Sequence, residues 1–155
     1  MIRDILILLT VIWTTVQACP SGWVQHDELC YYFSVVTGSW AEAGSFCRNV
    51  NGKLAEPMQT SDVTFIDGEV QTKHAPQGEY YLGGHDTFVE GEWNWASSFS
   101  LITNANWKAG EPNDQNGKED CLALTLSGHW NDVPCNISLP FVCEIENFYS
   151  QGAIG

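Results

Sequence analysis

The chain has 155 residues, of which 19 are acidic and 6 basic, giving a formal net charge of −13 at pH 7. A balance this acidic argues against nucleic acid as a partner, because phosphate backbones attract cationic surfaces. The length and the 44% content of hydrophobic residues fit one globular domain.

Residues 1–18 are typical of a secretory signal peptide. Arg3 precedes an apolar run, and the small residues Val16 and Ala18 stand where a signal peptidase reads. The run is shorter than the roughly 20 apolar residues of a membrane span. We therefore expect cleavage after Ala18, a secreted extracellular domain over 19–146 and a short tail over 147–155. In an alternative interpretation "VQAC" is a lipobox with Cys19 acylated, which would leave one cysteine unpaired.

The next segments predict a hairpin followed by two helices. "GWVQHDELCYYFSV" is rich in β-branched and aromatic residues and predicts two paired strands. Ser39 is predicted to cap a helix that ends near Asn51 and Gly52. Its apolar face comprises Trp40, Ala43, Phe46, Cys47 and Val50. Ser61 is predicted to cap a second helix. The apolar residues of that helix are Val63, Phe65, Ile66 and Val70.

After Tyr80 the helical periodicity disappears. "CLALTL" and "FVCEI" predict short strands around a long loop region. Two early helices, a hairpin and late strands together predict a mixed α+β domain.

The segment "EPNDQNGKEDCLALTLSGHWND" is rich in acid and amide side chains. Oxygen ligands of this kind favour calcium, whereas zinc or copper prefers His and Cys. Between Gly83 and Asp132 eight acidic residues face two lysines, a net charge of −6. Crowded carboxylates repel one another unless a cation neutralises them. A solvated acidic loop is the alternative, but the interspersed Asn and Gly residues argue against it.

Three motifs give the chain a resemblance to the sugar-binding face of C-type lectin domains: "EPN", the "ED" before Cys121 and the "WND" before Cys135. The resemblance implies a C-type lectin-like fold with two helices, antiparallel strands, a long calcium-binding loop region and three disulfides. It also implies a principal calcium site that holds the sugar. The residues of that site are Glu111, Asn113, Glu119, Asn131 and Asp132. An auxiliary calcium site is implied at Asp86, Glu90, Asp114 and Asp120.

Six cysteines permit 15 pairings, and spacing alone does not choose among them. The resemblance implies the pairs Cys19 with Cys30, Cys47 with Cys143, and Cys121 with Cys135. It also implies a cis bond between Glu111 and Pro112. One departure is Gly84 in "YYLGG", where the family has an apolar residue, so we expect one packing contact to be weakened.

In the family, "EPN" accompanies mannose, glucose, N-acetylglucosamine or fucose, and "QPD" accompanies galactose. The resemblance therefore implies calcium-dependent binding of mannose-type glycans, and suggests an innate immune role in recognising or agglutinating microbes or particles. Weak single-site affinity favours clustering, for which a noncovalent homo-oligomer is a hypothesis. Galactose specificity, or a matrix- or mineral-associated protein of the same fold, are the alternatives.

The remaining motifs point away from catalysis. The chain carries no "GxSxG" elbow, P-loop or zinc-hydrolase motif, so we expect no enzyme and assign no catalytic residue.

Trp130 and Trp95 are expected to pack under the loops, while Trp93 or Trp107 contacting sugar is the weaker alternative. The four histidines are expected at the surface, with His85 close enough to Asp86 to touch a ligand. Asn136 begins a formal glycosylation sequon.

Overall fold

The computed structural model describes residues 19–74 and 78–146. The predicted leader over 1–18, its cleavage site and the tail over 147–155 lie outside the described residues. Within the two described ranges, no helix combines the length and the apolar character that crossing a membrane requires.

The first sheet joins the two ends of the domain. Strands β1 (Val24–His26) and β2 (Leu29–Phe33) form an antiparallel hairpin, as the sequence predicts. The final strand β8 (Val142–Glu146) pairs with β2, and the short β3 (Lys53–Leu54) pairs with β8. The strand order is therefore β1-β2-β8-β3, and the sheet holds the amino- and carboxyl-terminal segments together.

Helix α1 (Trp40–Asn49) begins where its capping signal predicts. The backbone N–H of Ser39 donates to Glu42 Oε2 at 2.8 Å, and Glu42 N donates to Ser39 Oγ at 3.4 Å. This reciprocal pair satisfies donors that have no partner inside the helix. Ala43 and Cys47 are fully buried on the predicted apolar face, whereas Val50 is the C-cap and lies exposed.

Helix α2 spans Thr60–Glu69 and continues into a π-helical turn over Val70–His74. The predicted cap at Ser61 is wrong, because Gln59 is the N-cap. The backbone N–H of Gln59 donates to Asp62 Oδ2 at 3.2 Å, so the acid at the third helical position starts the helix two residues earlier than the serine would.

The second sheet carries the loop region. Its strands are β4 (Tyr80–His85), β5 (Asn94–Trp95), β6 (Cys121–Leu124) and β7 (Trp130–Val133), in the order β5-β4-β6-β7. All pairings in it are antiparallel. The predicted long loop region lies between β4 and β6 and contains only the two-residue β5.

The core is closely packed around Gly84 although this residue has no side chain. A Cβ atom there would lie 2.7 Å from Leu122 Cδ2 and 2.9 Å from Ile102 Cδ1. The expected weakened contact is therefore wrong, because the side chains of Leu122 and Ile102 already occupy the space that an apolar residue would need.

Three disulfides brace the two sheets, with the predicted pairing. Cys19 bonds to Cys30, Cys47 in α1 to Cys143 in β8, and Cys121 in β6 to Cys135. The bond between Cys19 and Cys30 contradicts the acylated-cysteine alternative. The third bond joins the two ends of the β6-β7 hairpin, which carries the predicted ligands Asn131 and Asp132.

Candidate functional site

The candidate site centres on Asp132, which lies in β7 opposite Leu122 of β6 and is 1% exposed. Its Oδ2 accepts hydrogen bonds from two backbone N–H groups, of Asn113 at 2.9 Å and of Asp114 at 2.6 Å. Its Oδ1 is buried and has no hydrogen-bond partner. A buried carboxylate oxygen without a partner is costly, and a bound cation is one of the few groups that satisfies it.

The loop over 111–114 places two further predicted ligands beside this aspartate. The bond between Glu111 and Pro112 is cis, as the resemblance implies. Asn113 Nδ2 donates to Glu111 Oε2, so the acid and the amide lie side by side. Burial and the nearby Asp132 carboxylate raise the pKa of Glu111. The Glu111 and Asp132 carboxylates therefore lie close enough to repel each other.

Glu119 and Asn131 are the other acid and amide pair that the motifs predict, and their side chains bond to different partners. Glu119 Oε2 accepts from the backbone N–H of Gln115 at 2.8 Å, and Glu119 N donates to Asp114 Oδ1 at 3.1 Å. Asn131 precedes Asp132 in β7. These contacts fix the segment that carries Glu119 to the loop that carries Asn113.

Sequence reasoning missed Glu79, a half-buried residue just before β4. Its Oε1 accepts from Asn131 Nδ2 at 3.4 Å, which orients the amide of a predicted ligand. Burial raises the pKa of Glu79, and the charges of Glu111 and Glu119 act in the same direction. No motif could have identified Glu79, because it lies 52 residues from Asn131 in sequence.

The predicted auxiliary ligands also come together. Carboxylate oxygens of Asp86, Glu90 and Asp120 lie within 4.8 Å of one another, and Asp114 is near enough to raise the pKa of Asp86 and Glu90. Burial is the largest cause of the raised pKa of Asp86. Asp86 is 3% exposed; its Oδ2 accepts from Gly91 N at 2.9 Å, while its Oδ1 is buried without a partner.

The two groups repeat one arrangement. In each, a buried aspartate uses one oxygen to hold a loop backbone and leaves the other oxygen unpartnered among neighbouring carboxylates. The donors are carboxylates and amides only, which is the chemistry of a hard cation such as calcium rather than of zinc or copper. The acidic groups present fit a calcium site.

Comparison with known proteins identifies the family. The Lectin C-type domain profile matches residues 36–145. The chain belongs to the C-type lectin domain family. Perlucin from Haliotis laevigata is 35% identical to this C-type lectin domain over 131 residues, which cover 83% of each protein.

Solved structures agree with this C-type lectin domain assignment. The cow carbohydrate-recognition domain of CD23, solved in the presence of a GlcNAc2Man3 oligosaccharide, is 31% identical with a TM-score of 0.74, covering 83% of this chain and 96% of that one. A calcium-independent type II antifreeze protein is 27% identical with a TM-score of 0.72, covering 83% and 95%. The fold therefore occurs both in a protein solved in the presence of an oligosaccharide and in a calcium-independent one.

The four tryptophans nearest the loop region of this C-type lectin domain are buried or half-buried. Trp130 and Trp95 are buried, as predicted, with ring centroids 5.9 Å apart. Trp93 is also buried and packs against the half-buried Trp107, with ring centroids 4.8 Å apart. Trp93 therefore packs in the core, which argues against its contacting an exposed sugar.

The expectation that His85 lies at the surface is wrong. His85 ends β4, is 5% exposed and places Nδ1 2.8 Å from Thr87 Oγ1. Burial lowers its pKa, so it contributes a neutral packing group beside Asp86. Of the other histidines, His129 is exposed and His26 is half-buried.

Proposed function

We propose that this protein binds mannose-type glycans in a calcium-dependent manner through Glu111, Asn113, Glu119, Asn131 and Asp132. One observation carries the proposal: the buried, unpartnered Oδ1 of Asp132, which lies directly beneath the "EPN" loop. This oxygen is a suitable cation ligand, because a bound ion would supply the partner that the protein does not.

Calcium bound there would supply open coordination positions that two adjacent sugar hydroxyls can occupy in place of water. The chain supplies the hydrogen bonds that orient those hydroxyls. Each carboxylate accepts a hydrogen bond from a hydroxyl, and each amide donates one. Glu111 with Asn113 makes one such pair and Glu119 with Asn131 the other. Glu79 acts as a positioning residue, because it holds the Asn131 amide.

The order of acid and amide within the loop supports mannose-type specificity. Glu111 precedes Asn113, and the two side chains are already hydrogen-bonded to each other. The burial of Trp93 and Trp95 supports the same assignment, since neither ring is available to tilt the sugar toward a galactose-like orientation.

We further propose an auxiliary calcium ion held by Asp86, Glu90, Asp114 and Asp120. The unpartnered Oδ1 of Asp86 supports this site. Asp114 Oδ1 also accepts from the backbone of Glu119, so the same residue reaches both sites. Occupancy of the auxiliary site would therefore steady the loop that carries the principal ligands.

The wider setting follows from the covalent structure and from the expected affinity. Three disulfides suit an oxidising extracellular compartment and support secretion. A shallow site that binds one sugar is weak, so recognition or agglutination of microbial glycans would need several domains acting together, for instance a noncovalent homo-oligomer. The proposed chemistry is binding without turnover.

A glycan array with the purified protein, run in millimolar calcium and repeated with chelator, tests the proposal. We expect mannose-type glycans to be bound only with calcium. The double variant Glu111→Gln with Asn113→Asp exchanges acid and amide, and should move the preference toward galactose. A matched control is Glu92→Gln with Asn116→Asp, which makes the same chemical changes at exposed loop positions outside the ligand set.

Each outcome separates the alternatives. Calcium-dependent galactose binding by the unaltered protein would keep the site and reject the specificity. Mannose binding that survives both the chelator and the double exchange would reject the site itself. Absence of any glycan binding would favour a matrix- or mineral-associated role.

A further inference from the structure

A third cluster of potential metal ligands lies between the β1-β2 hairpin and α2, which contribute no ligand to the proposed sugar site. It consists of His26, at the end of β1, Asp27, in the hairpin turn, and Asp62, in the first turn of α2. One donor atom from each lies within 4.8 Å of the others. Unlike the loop sites, this cluster contains an imidazole.

The distances around His26 are within the range of ion pairs but are too long for direct hydrogen bonds. Its Nε2 lies 3.6 Å from Asp27 Oδ2 and 3.7 Å from Asp62 Oδ1, and it is buried without a hydrogen-bond partner. A direct N–H to carboxylate hydrogen bond would be about 2.7–2.9 Å long. Two ligands about 2.0–2.1 Å from a tetrahedral zinc ion are about 3.4 Å apart, which is close to the spacing observed.

The donors are held in place by contacts on their far sides. Asp62 Oδ2 accepts from Gln59 N at 3.2 Å, which turns Oδ1 toward His26. The His26 ring stacks on Phe65, with centroids 4.3 Å apart and planes inclined by 8°. Asp62 is 7% exposed, so its conformation is fixed by packing as well as by its hydrogen bond. Such outer contacts are typical of metal ligands.

A further polar group without a hydrogen-bond partner packs against the same phenylalanine. Tyr31 in β2 is completely buried, and its hydroxyl has no hydrogen-bond partner. The centroid of its ring lies 5.6 Å from that of Phe65, the ring on which His26 stacks. The side chains that pack on Phe65 therefore include two buried polar atoms without a hydrogen-bond partner, the Tyr31 hydroxyl and His26 Nε2.

We propose that His26, Asp27 and Asp62 bind a zinc-class divalent ion that links the β1-β2 hairpin to α2. A neutral imidazole and two carboxylates neutralise a divalent charge and match the N and O donors that zinc accepts. The His26 side chain is 22% exposed and that of Asp27 73%, so the ion reaches the site from solvent. The fourth position is open to water.

Cobalt(II) is a suitable spectroscopic probe, used on the full protein with millimolar calcium present to saturate the oxygen-only sites. We expect one cobalt ion to bind with the absorption of a four-coordinate site, and zinc to displace it. His26→Gln should abolish the band, and Asp27→Asn should weaken binding by about tenfold or more. The control His129→Gln removes an exposed histidine outside the cluster and should leave the titration unchanged.

The Asp27→Asn variant keeps the test valid if His26→Gln fails to fold. Asp27 has φ +49°, a conformation that asparagine also adopts readily. Retained circular dichroism and calcium-dependent glycan binding by each variant would show that the fold is intact. No cobalt band in the unaltered protein, or a band that persists in His26→Gln, would overturn the proposal. Neither result bears on the sugar site, because no proposed ligand of that site is changed.

Discussion

Replacing Asp132 with Asn tests the central carboxylate of the proposed sugar site. In chelator, two effects of the substitution oppose each other. The two hydrogen bonds to Oδ2 lose their charge, and each falls from about 1.5–3 to about 1 kcal/mol. Removing a buried charge that lacks a partner on Oδ1 raises the free energy of unfolding by a similar amount and so offsets this loss. We therefore expect the free energy of unfolding in chelator to change by no more than about 1 kcal/mol.

With calcium present the effects no longer cancel. An ion at 100 times its dissociation constant adds about 2.7 kcal/mol to the free energy of unfolding. A hundredfold loss of affinity at the principal site would remove nearly all of that increment. We expect Asp132→Asn to lose about 2–3 kcal/mol of calcium-linked stability and to lose glycan binding, whereas Glu92→Gln should retain both.

Urea unfolding followed by tryptophan fluorescence, in calcium and in chelator, measures the difference, and a mannan-resin assay measures binding. Asp86→Asn serves as a comparison, since it removes the buried carboxylate of the auxiliary site only. If Asp132→Asn kept the calcium increment and still bound mannan, the assignment of Oδ1 as a cation ligand would be refuted.

Three further predictions concern the scaffold. Gly84→Ala should lower the free energy of unfolding by about 1–3 kcal/mol, because its Cβ would lie 2.7 Å from Leu122; urea denaturation measures this. Burial raises the pKa of Asp67 to about 7. The neutral carboxyl therefore favours the folded state in acid, and this contribution to the free energy of unfolding is lost as the pH rises through 7. Asp67→Asn should therefore gain up to about 1 kcal/mol over the unaltered protein between pH 5 and pH 8, a value reduced for partial exposure. Replacing Cys47 and Cys143 with Ala should cost about 4–5 kcal/mol, because that bond closes a loop of sequence separation 96.

Controls accompany each change. Gly68→Ala introduces a Cβ with no atom within 4 Å and should not destabilise the protein, so an equal loss at both glycines would argue against overpacking at Gly84. A pH-independent difference for Asp67→Asn would remove burial as the source of its shift. Replacing Cys121 and Cys135, of separation 14, should cost less, about 3 kcal/mol; the reverse order would contradict the chain-entropy reasoning.

Local signals made part of the fold predictable. Ser39 followed three residues later by Glu42 fixes the start of α1 through contacts that are local in sequence. At α2 the same reasoning chose Ser61, although Asp62 bonds back to Gln59, because adjacent polar residues offer several caps and only the backbone path selects one. The two-residue β3 depends on its pairing with β8, a distant partner that periodicity does not reveal.

In the candidate site, too, the residues of contiguous motifs were predictable and those that depend on distant partners were not. Contiguous motifs predicted which residues would gather, and the loop brings Glu111 and Asn113 together as expected. Glu79 was missed because its partner is remote in sequence. His85 was misplaced because burial at the end of β4 depends on the sheet around it, and residue type alone does not indicate that environment.

In the proposed site, Asp132 separates attachment of the loop from recognition of the sugar. Its Oδ2 holds the loop by the backbone N–H groups of residues 113 and 114, and every amino acid except proline offers such a group. The side chain at position 113 is therefore free to vary while the loop stays anchored to β7. A change of preferred sugar would require exchanged side chains on a fixed frame and no new backbone, so specificity in this fold can be altered at little cost to stability.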